Sequence, residues 1–162
     1  MTDLLPLLQE FHRDKLTELL RHQAGARLVG QYDANNTYQY IINREETQLS
    51  WLATAIVELG GAVADALKEP ARTAAGTGEV ASQTIPAEDS RAAQSFVDKW
   101  RPRVEAMTNA RHRGMLRVIL GETLEQKRFF DQALAGDVDL LGRRSEQVGP
   151  RVGAVLATRW IE

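Results

Sequence analysis

Apolar side chains recur in steps of three and four along most of the chain, the spacing that lines one face of a helix. The first stripe is Leu5, Leu8, His12, Leu16 and Leu19. It predicts a helix from an N-cap at Thr2 or Asp3, with Pro6 tolerated in the first turn, to about Ala26. The second is Tyr38, Ile41, Ile42, Glu45, Leu49, Leu52, Ile56 and Leu59, a helix from about Asp33 that Gly60-Gly61 can stop. Ala62 to Lys68 offer two further turns. The third is Ala93, Phe96, Val97, Trp100, Val104 and Met107, starting near Pro86-Ala87-Glu88, with Pro102 predicting a kink or a break. The fourth is Met115, Val118, Ile119, Glu122, Gln126, Phe129 and Ala133, from about Arg113 to Ala135, closed by Gly136.

Residues 69–87 carry neither helical nor strand periodicity and are rich in Pro, Gly, Thr, Ala and Ser. A connection of that length is uncommon inside a compact domain, so it reads as a crossover running the length of the bundle or as a partly disordered segment. A short helix from about Arg151 to Trp160 is expected after Gly149-Pro150. No β-hairpin or βαβ pattern is present. The chain is thus predicted to be all-α and a single domain: a first hairpin over 1–68, a crossover over 69–87, a second hairpin over 88–136 and a C-terminal extension over 137–162. That is the plan of an antiparallel four-helix bundle.

Two carboxylates interrupt these apolar stripes. Glu45 and Glu122 are both expected to point inward, from helices 2 and 4, and a buried carboxylate must be neutral, paired, hydrogen-bonded or on a metal. His12 falls on the inward stripe of helix 1, in the layer facing Glu45. Gln48 and Gln126 stand at i+3 and i+4 from the two glutamates, and Tyr38 lies two turns before Glu45. Helix 3 offers no inward carboxylate or imidazole, with Asp98 and Glu105 on its outer face. His22 and His112 fall near hairpin ends and are expected to be solvated. Two readings of this set follow. In one, Glu45, Glu122 and His12 hold a single Fe, Mn, Ni or Zn ion, with Gln48, Gln126 and Tyr38 as weak or supporting partners. In the other, the same groups form a metal-free buried polar network.

Composition narrows the chemistry. With no Cys among 162 residues, thiolate zinc sites, iron–sulfur clusters, disulfides and thiol nucleophiles are excluded. A net charge of −2 gives no global basic field. The run Arg101, Arg103, Arg111, His112, Arg113, Arg117 lacks interleaved aromatics, so no nucleic-acid partner is expected. No phosphate-binding Gly-rich loop and no nucleophile elbow occurs. Met1-Thr2-Asp3-Leu4-Leu5 is not a secretory signal, and no apolar run reaches the roughly 20 residues of a membrane span, so a cytoplasmic protein without membrane partners is expected. Several aromatics and an amphipathic C-terminal segment point to a homodimer.

Residues 43–52, Asn-Arg-Glu-Glu-Thr-Gln-Leu-Ser-Trp-Leu, followed by Ile56-Val-Glu-Leu-Gly-Gly61, resemble the second helix of ferritin-like proteins of the rubrerythrin and bacterioferritin kind. Residues 119–130, Ile-Leu-Gly-Glu-Thr-Leu-Glu-Gln-Lys-Arg-Phe-Phe, are similar to the fourth. The resemblance implies a ferritin-like bundle with a long connection between helices 2 and 3, and a metal-dependent redox or stress role. Where that family carries Glu-x-x-His, this chain has Glu45-x-x-Gln48 and Glu122-x-x-Glu125. A DinB-like bundle is the alternative resemblance, implying a metal-dependent transferase-type protein. Glu45 and the Glu122/Gln126 pair stand where that family places its histidine ligands. A third possibility is a metal-free bundle acting as a dimeric or small-ligand-binding module.

Overall fold

A computed structural model describes residues 3–63, 67–72, 79–137 and 141, with the side chains of 79–82 outside the description. The chain folds into four helices, α1 (Leu4–Ala26), α2 (Tyr32–Glu58), α3 (Glu79–Glu105) and α4 (Ala110–Leu134), with no strand among the described residues. α1 packs chiefly on α2 and α3 chiefly on α4, while α1 also meets α3 and α2 meets α4. The diagonal partners α1/α4 and α2/α3 do not pack backbone to backbone. This packing is compatible with a four-helix bundle.

Helix ends follow local chemistry. Asn109 caps α4 by accepting from the His112 backbone N–H at 3.0 Å, and Gln31 caps α2 by accepting from the Ala34 N–H at 2.6 Å. Gly60 and Gly136 adopt φ of +78° and +87°, the left-handed conformation that ends helices cheaply only at glycine.

Several expectations are corrected. α3 begins at Glu79, not near Pro86, so residues 79–87 are helix and the α2–α3 connection is 59–78. Pro86 sits inside that helix, and the turn around it is anchored by fully buried Ile85 and Asp89. Of the kink or break expected at Pro102, the break does not occur, and α3 continues to Glu105. The proline forfeits one backbone hydrogen bond on an exposed face, while Val97, Trp100 and Val104 hold the other face in the core. The third correction is rotational. On α1 the most deeply buried line is Leu8, Phe11, Lys15, Leu19 and His22, and on α4 it includes Leu116, Ile119, Leu120, Thr123 and Phe130, leaving Val118 half exposed. The extra turns proposed for Ala62–Lys68 are not helical where described. The helix expected over 151–160, like nearly all of the C-terminal extension, lies outside the described residues.

The core is knit by two aromatic groups. Phe11 meets Phe96 and Trp100 edge-on at 5.2 and 4.8 Å, and Phe130 lies 5.5 Å from both Tyr38 and His22. Between them runs a layer of buried charge. No described helix is long and apolar enough to cross a membrane.

Candidate functional site

Glu45 is completely buried, as the α2 stripe predicts. Its partners are not the expected ones. Lys15 Nζ donates to Oε1 at 2.8 Å and His22 Nδ1 meets Oε2 at 2.7 Å. Lys15 and His22 are seven residues apart on α1, two turns, and so present to the same neighbour. Both are almost wholly inaccessible, at 0% and 1% exposure. Burial alone would raise the Glu45 pKa, but the charges of His22 and Lys15 outweigh it and hold the carboxyl below its usual range. Burial likewise opposes charge on His22, yet Glu45, with help from Asp89 and Glu18, raises that imidazole above its ordinary value. Glu18, between Lys15 and His22 on α1, is pushed up by burial.

A second buried carboxylate lies on α3, where none was expected. Asp89 is fully buried. It accepts from the Tyr38 hydroxyl at 2.6 Å, from Arg72 at 3.0–3.1 Å and from Arg21 at 3.4 Å. Arg72, in the α2–α3 connection, also donates to the Arg21 carbonyl at 2.9 Å and to Glu88 at 3.0 Å. Burial first, then Asp89, pushes the Tyr38 phenol far up, so it stays a neutral donor. The His22 and Tyr38 rings, 6.2 Å apart, connect the two carboxylate centres. Tyr38 therefore supports Asp89 rather than Glu45.

The remaining sequence-derived residues lie elsewhere. Glu122 is at the α4 flank with its side chain 23% exposed, and its two oxygens take the Arg44 guanidinium and the Gln48 amide. Gln126 is buried, and its amide nitrogen has no hydrogen-bond partner within the protein. His12 is buried with Nδ1 unpartnered, and burial lowers its pKa. It lines a small cavity with Gln9, Arg13, Ile56, Ala62 and Val63. The Trp100 indole donates to Asp14 at 2.9 Å. His22 and His112, expected at solvated hairpin ends, are both buried. The rotation of α1 and α4 explains these differences: one residue of phase is about 100° of helix. It moves Lys15 and His22 inward and Glu122 to the edge.

Glu45, Glu122 and His12 do not form a ligand set. Among the described residues no group of three or more His, Cys, Asp or Glu side chains is placed to hold a metal ion. The donor chemistry agrees, because a cation at Glu45 would have to displace a buried ammonium and an imidazole already bonded to both oxygens. The basic run is also spoken for in part: Arg103 forms a two-armed pair with Glu10 at 2.9 and 2.7 Å, Arg117 pairs with Glu105, and Arg113 donates to the Met107 carbonyl. The Arg103 pair draws the Glu10 carboxyl down to about 2.

Lys15, His22 and Asp89 carried a signal in the sequence. Lys15 and His22 complete the line Leu8, Phe11, Leu19, and Asp89 falls in step with Ile85, Ala93, Phe96 and Trp100. Comparison with known proteins finds no matching family model, no matching curated protein and no matching solved structure.

The buried pair makes stability depend on pH in two directions. His22, raised in the folded state, contributes fully below the ordinary imidazole value, and its contribution is lost as pH rises through the raised value. Glu45, lowered, contributes above the ordinary carboxylate value and loses it as pH falls through the lowered one. His12 and His112, both lowered by burial, add to the acid-side loss because the unfolded chain charges them first. Urea unfolding from about pH 2 to pH 10 is expected to show a decline on each side of a maximum near the ordinary imidazole value. His22→Phe is expected to remove the decline just above the imidazole range and to keep the acid one. An alkaline limb unchanged in that variant contradicts the assignment.

Proposed function

We propose that this protein is a metal-free helical bundle that works as a small-ligand-binding module, with its central carboxylates serving the fold. The observation that carries the metal-free part of this reading is the engagement of Glu45: its two oxygens meet the Lys15 ammonium and the His22 imidazole, both buried on α1. A metal ion reaching Glu45 would have to enter a fully buried site and displace one of these partners, and Lys15 repels a divalent ion from it. The ferritin-like relationship is retained as a proposal about architecture. The lateral contacts α1–α3 and α2–α4 and the long 59–78 connection support a crossover between two hairpins.

Metal analysis of protein prepared without a histidine tag tests the reading. Fe, Mn, Ni and Zn are expected far below one equivalent, before and after reconstitution and desalting. A stoichiometric ion that disappears in Glu45→Gln would restore the metal reading.

A further inference from the structure

The seam between α2 and α4 carries an exposed apolar strip. Trp51 of α2 and Met115 of α4 border one cleft, and Trp51 is 36% exposed. Val118, one turn after Met115, is 50% exposed although it stands on the α4 stripe that turns toward α2. Glu122, one turn further on, pairs with Arg44 of α2, and the Arg44 guanidinium lies over the Trp51 ring at 5.8 Å.

Ion pairs close the strip at both ends. Arg44 and Glu122 stand at one end, and Glu58 and Arg111, 3.3 Å apart, stand at the other. Both pairs are partly exposed. Along α2, Arg44, Trp51 and Glu58 are seven residues apart, so one face shows a cation, an aromatic ring and an anion in that order. Along α4, Arg111, Met115, Val118 and Glu122 are spaced four, three and four. This is the spacing by which helices meet lengthwise. On each helix the charge at one end of the strip is opposite in sign to the charge at the other. Such a surface is complementary to itself when turned end for end, as the isologous contact of a two-fold dimer requires.

We propose that the α2–α4 face is the contact surface of a homodimer, occupied by a second copy of this chain turned end for end. A two-fold axis crossing the seam near Trp51 packs the apolar strip on that of the partner. It brings Arg44 toward the partner's Glu58 and Arg111 toward the partner's Glu122, within the reach of these long side chains. The two helices have 27 and 25 residues. At about 1.5 Å per residue and about 10 Å of width per helix, their face is roughly 800 Å², what one side of a standard interface buries. Trp and Arg, which meet at Trp51 and Arg44, are the residue types that most often carry association energy. The dimer is independent of the ligand reading.

Sedimentation equilibrium on the full chain tests it. A reversible dimer with a dissociation constant in the micromolar range is expected. Trp51→Ala is expected to weaken it about thirtyfold. Val118→Glu, which sets two carboxylates near the axis, is expected to weaken it at least tenfold while leaving the far-UV circular dichroism unchanged. Val57→Glu is the control: Val57 is 62% exposed on the same helix, about 120° round from Trp51, and its replacement is expected to leave the dimer intact. A monomer at all concentrations overturns the proposal. So does a dimer that Trp51→Ala and Val118→Glu leave unchanged, or that Val57→Glu weakens as much as Val118→Glu. A monomer in which the Trp51 fluorescence, taken as wild type minus Trp51→Phe, resists acrylamide quenching gives the seam to another part of the same chain and likewise overturns it.

Discussion

Glu45→Leu is expected to lower the free energy of unfolding by roughly 3–5 kcal/mol, a large share of what a single domain possesses. The substitution leaves Lys15, wholly inaccessible, without its ion-pair partner and removes the carboxylate that raises the His22 pKa. The cost is that of an orphaned buried cation, not the worth of the pair. Removing the charges together is therefore expected to behave differently. The triple variant Lys15→Met, His22→Phe, Glu45→Leu should recover most of the loss, since apolar groups of similar volume often replace buried ion pairs at no net cost. Urea unfolding of the two variants and wild type measures both terms. A loss below about 1 kcal/mol for Glu45→Leu would mean that the cluster is hydrated and of the surface kind.

Asp89→Leu is the second large effect, expected at roughly 3 kcal/mol. It strips the acceptor from the Tyr38 hydroxyl and the counter-charge from Arg72, which is only 7% exposed. Arg21 can turn to solvent and Arg72 keeps Glu88, so the loss should fall short of the worst case. Tyr38→Phe, which removes one hydroxyl and leaves the two arginines on Asp89, is expected to cost about 1 kcal/mol. Equal effects from the two variants would contradict the view that Asp89 anchors the α2–α3 connection through Arg72. Limited proteolysis gives an independent readout, because cleavage within 59–78 is expected to rise in Asp89→Leu and not in Tyr38→Phe.

The helices α1, α2 and α4 were legible to within a few residues because their stripes are long and their ends are marked by Asp3, Gly60 and Gly136. The start of α3 was not. Pro86 is an ordinary helix-start signal, and only tertiary burial of Ile85 and Asp89 carries the helix upstream through it. The inward glutamate at position 45 was legible from its apolar neighbours. Its partners stand on the line of Leu8, Phe11 and Leu19, but that line did not assign them to Glu45, since a lysine on an apolar stripe usually carries its ammonium out to solvent, and which basic group meets which carboxylate depends on rotational phase. The same one-residue uncertainty put Glu122 in the core on paper and at the α4 edge in the fold. The metal reading rested on Glu45 and Glu122 acting together, and the structure gives each a separate set of partners.

The most direct test of this account is the free energy of unfolding of wild type and Glu45→Gln, each measured with chelator and with excess Fe(II), Mn(II), Ni(II) or Zn(II). A metal held by the folded state alone at a hundred times its Kd would add about 2.7 kcal/mol. The account expects no metal to stabilise wild type beyond what it does for Glu45→Gln, because Lys15 and His22 occupy the carboxylate. Stabilisation of wild type by that amount, absent in Glu45→Gln, would contradict it and make Glu45 a ligand.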